Sequence, residues 1–154
     1  MTSALPISEK ADEVTGDLYY QVQSFYARQM QLLDSGRVDA WADTFTEDGV
    51  FSANAQPRPA AGREAIRRAA AAAQDALRAK GLRHRHWLGM VDIRSVDGDR
   101  VTVRNYALVL AIPLGGQATV HVSTTCNDEL VREDGQWRVR NRVVFRDDLE
   151  GGGR

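Results

Sequence analysis

Hydrophobic positions recur at helical spacing in the first half of the chain and cluster in β-rich runs in the second. Leu18, Val22, Phe25, Tyr26, Gln29 and Leu32/Leu33 predict a helix from Asp17 to Ser35, closed by Gly36 where a left-handed residue belongs. Val38, Trp41, Ala42 and Phe45 predict a short second helix, after which Glu47-Asp48-Gly49 turns the chain into a brief strand, Val50 to Ala53. Pro57-Arg58-Pro59 forces an extended loop. Ile66, Ala69, Ala70, Ala73 and Leu77 then mark one face of a third helix, from about Arg63 to Lys80 and ended by Gly81.

Runs rich in Val, Ile, Thr, Leu, Trp and Tyr predict strands over about 83–96, 100–112, 117–132 and 136–146. Asp97-Gly98-Asp99, Pro113-Leu114-Gly115-Gly116 and Glu133-Asp134-Gly135 separate them, and turns this short imply an antiparallel meander. In the last strand, strict alternation would bury Trp137, Val139, Asn141, Val143 and Phe145 and leave Arg138, Arg140, Arg142 and Arg146 in solvent. The predicted class is α+β: a cone-shaped, curved antiparallel sheet packed against three N-terminal helices and enclosing a cavity. A single domain is expected over 15–149, with a loose arm over 1–14 and a disordered tail over 150–154.

Composition narrows the function. The 154 residues carry a net charge of −1, which argues against nucleic acid as a partner. No apolar run approaches the roughly twenty residues of a membrane span, and no secretory signal is visible. The single cysteine, Cys126, fits a reducing cytoplasm and reads as a small buried hydrophobe. No Gly-rich phosphate loop, nucleophile elbow or regular metal-ligand spacing is present, so no cofactor and no metal are expected.

What chemistry remains centres on His86 and Asp34. Imidazole is the side chain whose ordinary pKa suits proton transfer near neutrality, so His86 is either a general base or a packed histidine bonded to backbone. Asp34 ends the first helix, where the helix dipole disfavours a carboxylate. It is either an ordinary polar residue of the last turn or the partner that orients His86. Tyr26, Trp41, Phe51 and Trp87 are core aromatics or walls of a substrate cavity. Asn105 or Tyr106 would donate to a substrate carbonyl, and Asn141 is either structural or substrate-facing. His121 is a second acid or a solvent-facing residue, whereas His84, nearer its strand start, is expected at the surface.

Several segments, in this order, carry a resemblance: Phe25-Tyr26-Ala27-Arg28, Leu33-Asp34-Ser35-Gly36, Trp41 through Phe51, Gly62-Arg63-Glu64-Ala65-Ile66, Arg85-His86-Trp87-Leu88-Gly89 and Gly135-Gln136-Trp137-Arg138-Val139. From Leu18 to Phe145 the chain resembles the nuclear-transport-factor-two-like superfamily and, within it, the SnoaL-like polyketide cyclase and dehydratase group. It looks most like the small tailoring proteins of actinorhodin-type aromatic polyketide pathways. The resemblance implies dehydration, cyclisation (including pyran-ring formation) or isomerisation of a polyketide intermediate. It also implies a small-molecule aromatic or polyketide substrate and a homodimer.

Asp34 and His86 match the helix-end Asp and the strand His of scytalone dehydratase-like sequences. Leu33 replaces a tyrosine of that pattern, the second histidine falls near Ala111 and is absent, and the isomerase base expected near Ala53 or Asn54 is missing. Two other readings share the fold: a non-catalytic small-molecule binder, and the small subunit of a ring-hydroxylating dioxygenase.

Overall fold

The computed structural model describes residues 13–150, so the expected arm and tail lie almost wholly outside the described residues. Helix α1 spans Gly16–Asp34, and the Thr15 hydroxyl caps it by accepting the Leu18 N–H at 3.1 Å. Its buried stripe of Val22, Phe25, Tyr26, Gln29 and Met30 follows the predicted period. Gly36, at φ 74°, turns the chain out of the helix, and the Gly36 and Arg37 N–H groups bond back to the carbonyls of Leu33 and Leu32.

Helix α2 is shorter than the spacing predicts, Val38–Ala42, because strand β1 already begins at Phe45 and runs to Ala53. Phe45 still faces the core, as a strand residue opposite Val139 rather than as a helical one. A two-residue strand β2 (Ala60–Ala61) precedes α3 (Arg63–Ala79). Strands β3 (Leu82–Asp97), β4 (Arg100–Pro113), β5 (Thr119–Glu133) and β6 (Gln136–Arg146) form the expected antiparallel meander.

The sheet order is β2-β1-β6-β5-β4-β3. Since β1 joins β6 in parallel, the sheet is mixed rather than wholly antiparallel, and it does not close. The helices fill the opening: α1 packs on β3, while α3 touches both β1 and β3. Val22, Phe25, Tyr26, Trp41, Phe45, Ile66, Val101, Val103, Leu130 and Val139 make the core between helices and sheet. Removing one large side chain there, as in Phe45→Ala, costs about 3–5 kcal/mol. Among the described residues, no helix is long and apolar enough to cross a membrane.

Strand β6 departs from strict alternation. Leu130 pairs with Val139 and Glu129 with Asn141, so β6 carries one extra residue, Arg140, at a bulge. Beyond it the faces exchange. Asn141, expected inside, is exposed, and Arg142, expected in solvent, is buried.

Candidate active site

Gly81 ends α3 at φ 63° and lets the chain enter β3, which carries His84, His86 and Leu88 on one face. The end of α1 lies over this strand. Asp34 there meets His86 twice: Oδ2 accepts the backbone N–H of His86 at 3.0 Å, and Oδ1 lies 2.6 Å from Nδ1. These two donors answer the cost of a carboxylate at a helix C-terminus. The Asp34 side chain is 5% exposed and that of His86 21%, so the pair is shielded yet reachable. With the carboxylate accepting, Nδ1 carries a proton, and in the neutral imidazole the lone pair is then on Nε2. Among the described residues nothing bonds to Nε2.

His86 lines two hollows. The inner one, about 440 Å³, lies between α3, β1 and β3. Trp41 and Phe51 wall it on one side, and the small side chains Ala69, Ala70 and Ala73 leave room on another. The Trp41 and Phe51 rings are held through Phe45, whose centroid lies 5.0 Å from Trp41 and 6.2 Å from Phe51. His84 and His86 supply imidazoles, while Gln56, Arg58 and Gln74 add polar groups. Its volume and mostly apolar lining suit a small polycyclic molecule. The outer hollow runs between α1 and β3, past Tyr26, Asp34 and Trp87.

His84 is half-buried and lines the inner hollow rather than the outside surface. Its pKa is lowered by burial and by the neighbouring His121 and His86, with Asp34 opposing. The His84 and His121 ring centroids are 5.1 Å apart. His121 itself is exposed; Val109 pairs with Val122 and Leu110 with Val120, so a bulge at His121 separates it from the Ser123 and Thr125 face. Among the described residues, no three His, Cys, Asp or Glu side chains stand together as a metal site.

The other candidates divide by strand parity. Trp87 and Tyr106 fall on the far face of the sheet and are 67% and 53% exposed; Trp87 reaches only the outer hollow. Asn105 is fully buried, with neither amide atom partnered among the described residues, and does not line the inner hollow. The Tyr26 ring edges the outer hollow, but its hydroxyl points to Asp128 at 2.8 Å.

That bond belongs to a buried network the sequence reading missed. Arg142 grips Asp128 with two bonds of 2.9 and 2.8 Å and donates to Gln29 at 2.7 Å, and Gln29 in turn donates to Thr44. Burial opposes the Arg142 charge, but the Asp128 carboxylate more than offsets this and holds it firmly protonated. Burial, then Asp128, pushes the Tyr26 hydroxyl well above its ordinary pKa. The network ties α1 to the sheet beneath the hollows. Asp128, a charge amid the β5 run, was the visible signal; its arginine partner was hidden by the bulge.

A sequence profile described as a SnoaL-like domain matches residues 17–143. Aln2 from a Streptomyces species is 33% identical, with a TM-score of 0.82 over 90% of this chain and 96% of its own. ActVI-ORFA from Streptomyces coelicolor is 31% identical, with a TM-score of 0.80 over 88% and 98%. A protein from Catenulispora acidiphila, solved in complex with S-DNPA, is 37% identical, with a TM-score of 0.75 over 87% and 96%. The beta subunit of a putative aromatic-ring-hydroxylating dioxygenase from Novosphingobium aromaticivorans, 21% identical, shares the fold alone. No curated protein sequence matches the chain. The resemblance read from the sequence is borne out, and the chain belongs to the SnoaL-like family.

Proposed function

We propose that the protein is an acid–base enzyme of aromatic polyketide biosynthesis, needing no cofactor, that dehydrates, cyclises or isomerises a polyketide intermediate. The observation that carries this reading is the Asp34–His86 pair, whose imidazole lines a hollow of about 440 Å³ with its Nε2 unengaged. In the dehydration form, Nε2 takes a proton from the carbon alpha to a carbonyl. The imidazolium, stabilised by Asp34, then protonates the departing hydroxyl, so that a carbon–carbon double bond forms and water leaves. In the ring-closing form, Nε2 takes the proton of a substrate hydroxyl as its oxygen bonds to a carbonyl carbon, and the imidazolium protonates that carbonyl's oxygen, giving a cyclic hemiketal that can then lose water. The Streptomyces relatives and the relative solved with S-DNPA support the polyketide assignment.

The test pairs binding with chemistry. S-DNPA should raise the melting temperature, and the protein should speed deuterium exchange alpha to the carbonyl of the bicyclic ketone 2-tetralone. Stabilisation without any faster exchange would favour a non-catalytic binder of the same fold. The dioxygenase-subunit alternative rests on fold likeness only.

The assembly belongs to the same proposal. Trp87, Tyr106, Leu108 and Val120 share the outer face of the sheet, and all are exposed. A second copy packed there would cover them. Sedimentation should give a dimer that Leu108→Glu dissociates; a monomeric wild type would contradict it. A cytoplasmic location, supported by the lone unpaired Cys126, completes the reading.

A further inference from the structure

Removing an alpha proton puts negative charge on the substrate's carbonyl oxygen, and an enolate in a mostly apolar hollow needs a hydrogen-bond donor at that atom. The two residues expected from the sequence to supply it do not: Tyr106 lies on the far face of the sheet, and Asn105 does not line the inner hollow. Of the donors that do line it, Gln56 and Arg58 sit in the exposed loop joining β1 to β2, and the Gln74 amide already donates to the Leu33 carbonyl at 3.2 Å. The Trp41 indole nitrogen is itself wholly buried. His84 is left.

His84 stands on the same face of β3 as His86, two residues away, and both rings line the hollow. At about 3.3 Å per residue the two side chains rise about 7 Å apart, so a carbonyl oxygen and its alpha carbon, each within about 3 Å of one ring, bridge them. Among the described residues no hydrogen bond or ion pair engages the His84 ring, which lies beside His121 with centroids 5.1 Å apart. Burial, then His121 and His86, lower its pKa, with Asp34 opposing, so near neutrality the ring is an uncharged donor. That suits the step, because a second cation beside His86 would oppose the imidazolium that His86 becomes.

We infer that His84 is a second catalytic residue, donating an imidazole N–H to the substrate carbonyl oxygen while Nε2 of His86 removes the alpha proton. This rests on the proposed site and adds the group that holds the enolate. The proton of that N–H stays on His84. The electron pair of the broken C–H bond moves to the carbonyl oxygen and then returns to expel the hydroxyl that the His86 imidazolium protonates, so a carbon–carbon double bond forms and water leaves.

Deuterium exchange of 2-tetralone, followed at equal folded concentration, tests the inference with three variants. His84→Leu and His84→Phe remove the N–H and should lower kcat about a hundredfold with KM little changed. His84→Gln keeps an N–H donor and should recover most of the rate. Calorimetric titration with 2-naphthol, a planar mimic of the enol, should follow the same order, about tenfold weaker in the Leu and Phe variants and restored in the Gln variant. Full exchange in the Leu and Phe variants, or a loss that His84→Gln shares in full, would overturn the role of His84 and leave His86 as the base. An absence of exchange by the wild type would overturn the acid–base reading itself, and the inference with it.

Discussion

Asp34 holds both donors of His86, the backbone N–H at 3.0 Å and the ring Nδ1 at 2.6 Å, so one carboxylate sets the height of the strand and the angle of the imidazole together. A helix end and a strand are thus joined at the residue whose free ring nitrogen, Nε2, would perform the chemistry. Asp34→Asn keeps the shape but offers an amide N–H where a donor already points. Exchange of 2-tetralone should fall about a hundredfold, because the tautomer and the charge partner are lost together. Stability should fall by about 1–3 kcal/mol, read from urea unfolding.

Filling the inner hollow should block it without touching the pair. Ala70 faces the hollow from α3, and Ala70→Phe places a ring in that space. The variant should lose the S-DNPA-induced rise in melting temperature while its circular dichroism spectrum stays that of the wild type. An undiminished rise would place binding elsewhere.

The Arg142–Asp128 pair is buried on both sides, with side chains 5% and 0% exposed. Arg142→Leu leaves the Asp128 carboxylate unpaired in the core and should cost about 3–5 kcal/mol in urea unfolding. Arg142→Leu combined with Asp128→Leu should cost clearly less than the single change, since no uncompensated charge remains. A double variant as unstable as the sum of its parts would show that packing, not charge, accounts for the loss.

His84 gives stability a pH dependence. Its pKa is lowered in the folded chain, so between the ordinary value of about 6.5 and its folded value the unfolded chain binds more protons. Stability from this group is complete above pH 6.5 and declines as pH falls through the folded value. Replacing His84 with Gln should flatten this acid-side loss in melting curves recorded from about pH 7.5 to 5. An unchanged slope would assign it to other groups.

The long elements were legible because their signals are local. The stripe from Val22 to Met30, the alanine face of α3 and the Gly-containing turns each state their element within a few residues. Parity after a bulge is not local. Nothing in Val139-Arg140-Asn141 announces an extra residue, so Arg142 read as solvent-facing and Asn141 as buried, and both are reversed. Phe45 satisfies helical and strand spacing alike, and its pairing with Val139 decides the matter. Asp34 and His86 were identifiable by residue type and by resemblance. Arg58 and His84 drew no notice as cavity residues, since a hollow exists only once α3, β1 and β3 have come together.

The central claim is that His86, steered by Asp34, moves the proton. Exchange of the alpha protons of 2-tetralone, compared between wild type and His86→Ala at equal folded concentration, tests it most directly. The account predicts a loss of about a hundredfold or more while S-DNPA still raises the melting temperature. Equal exchange rates in two equally folded proteins would contradict it.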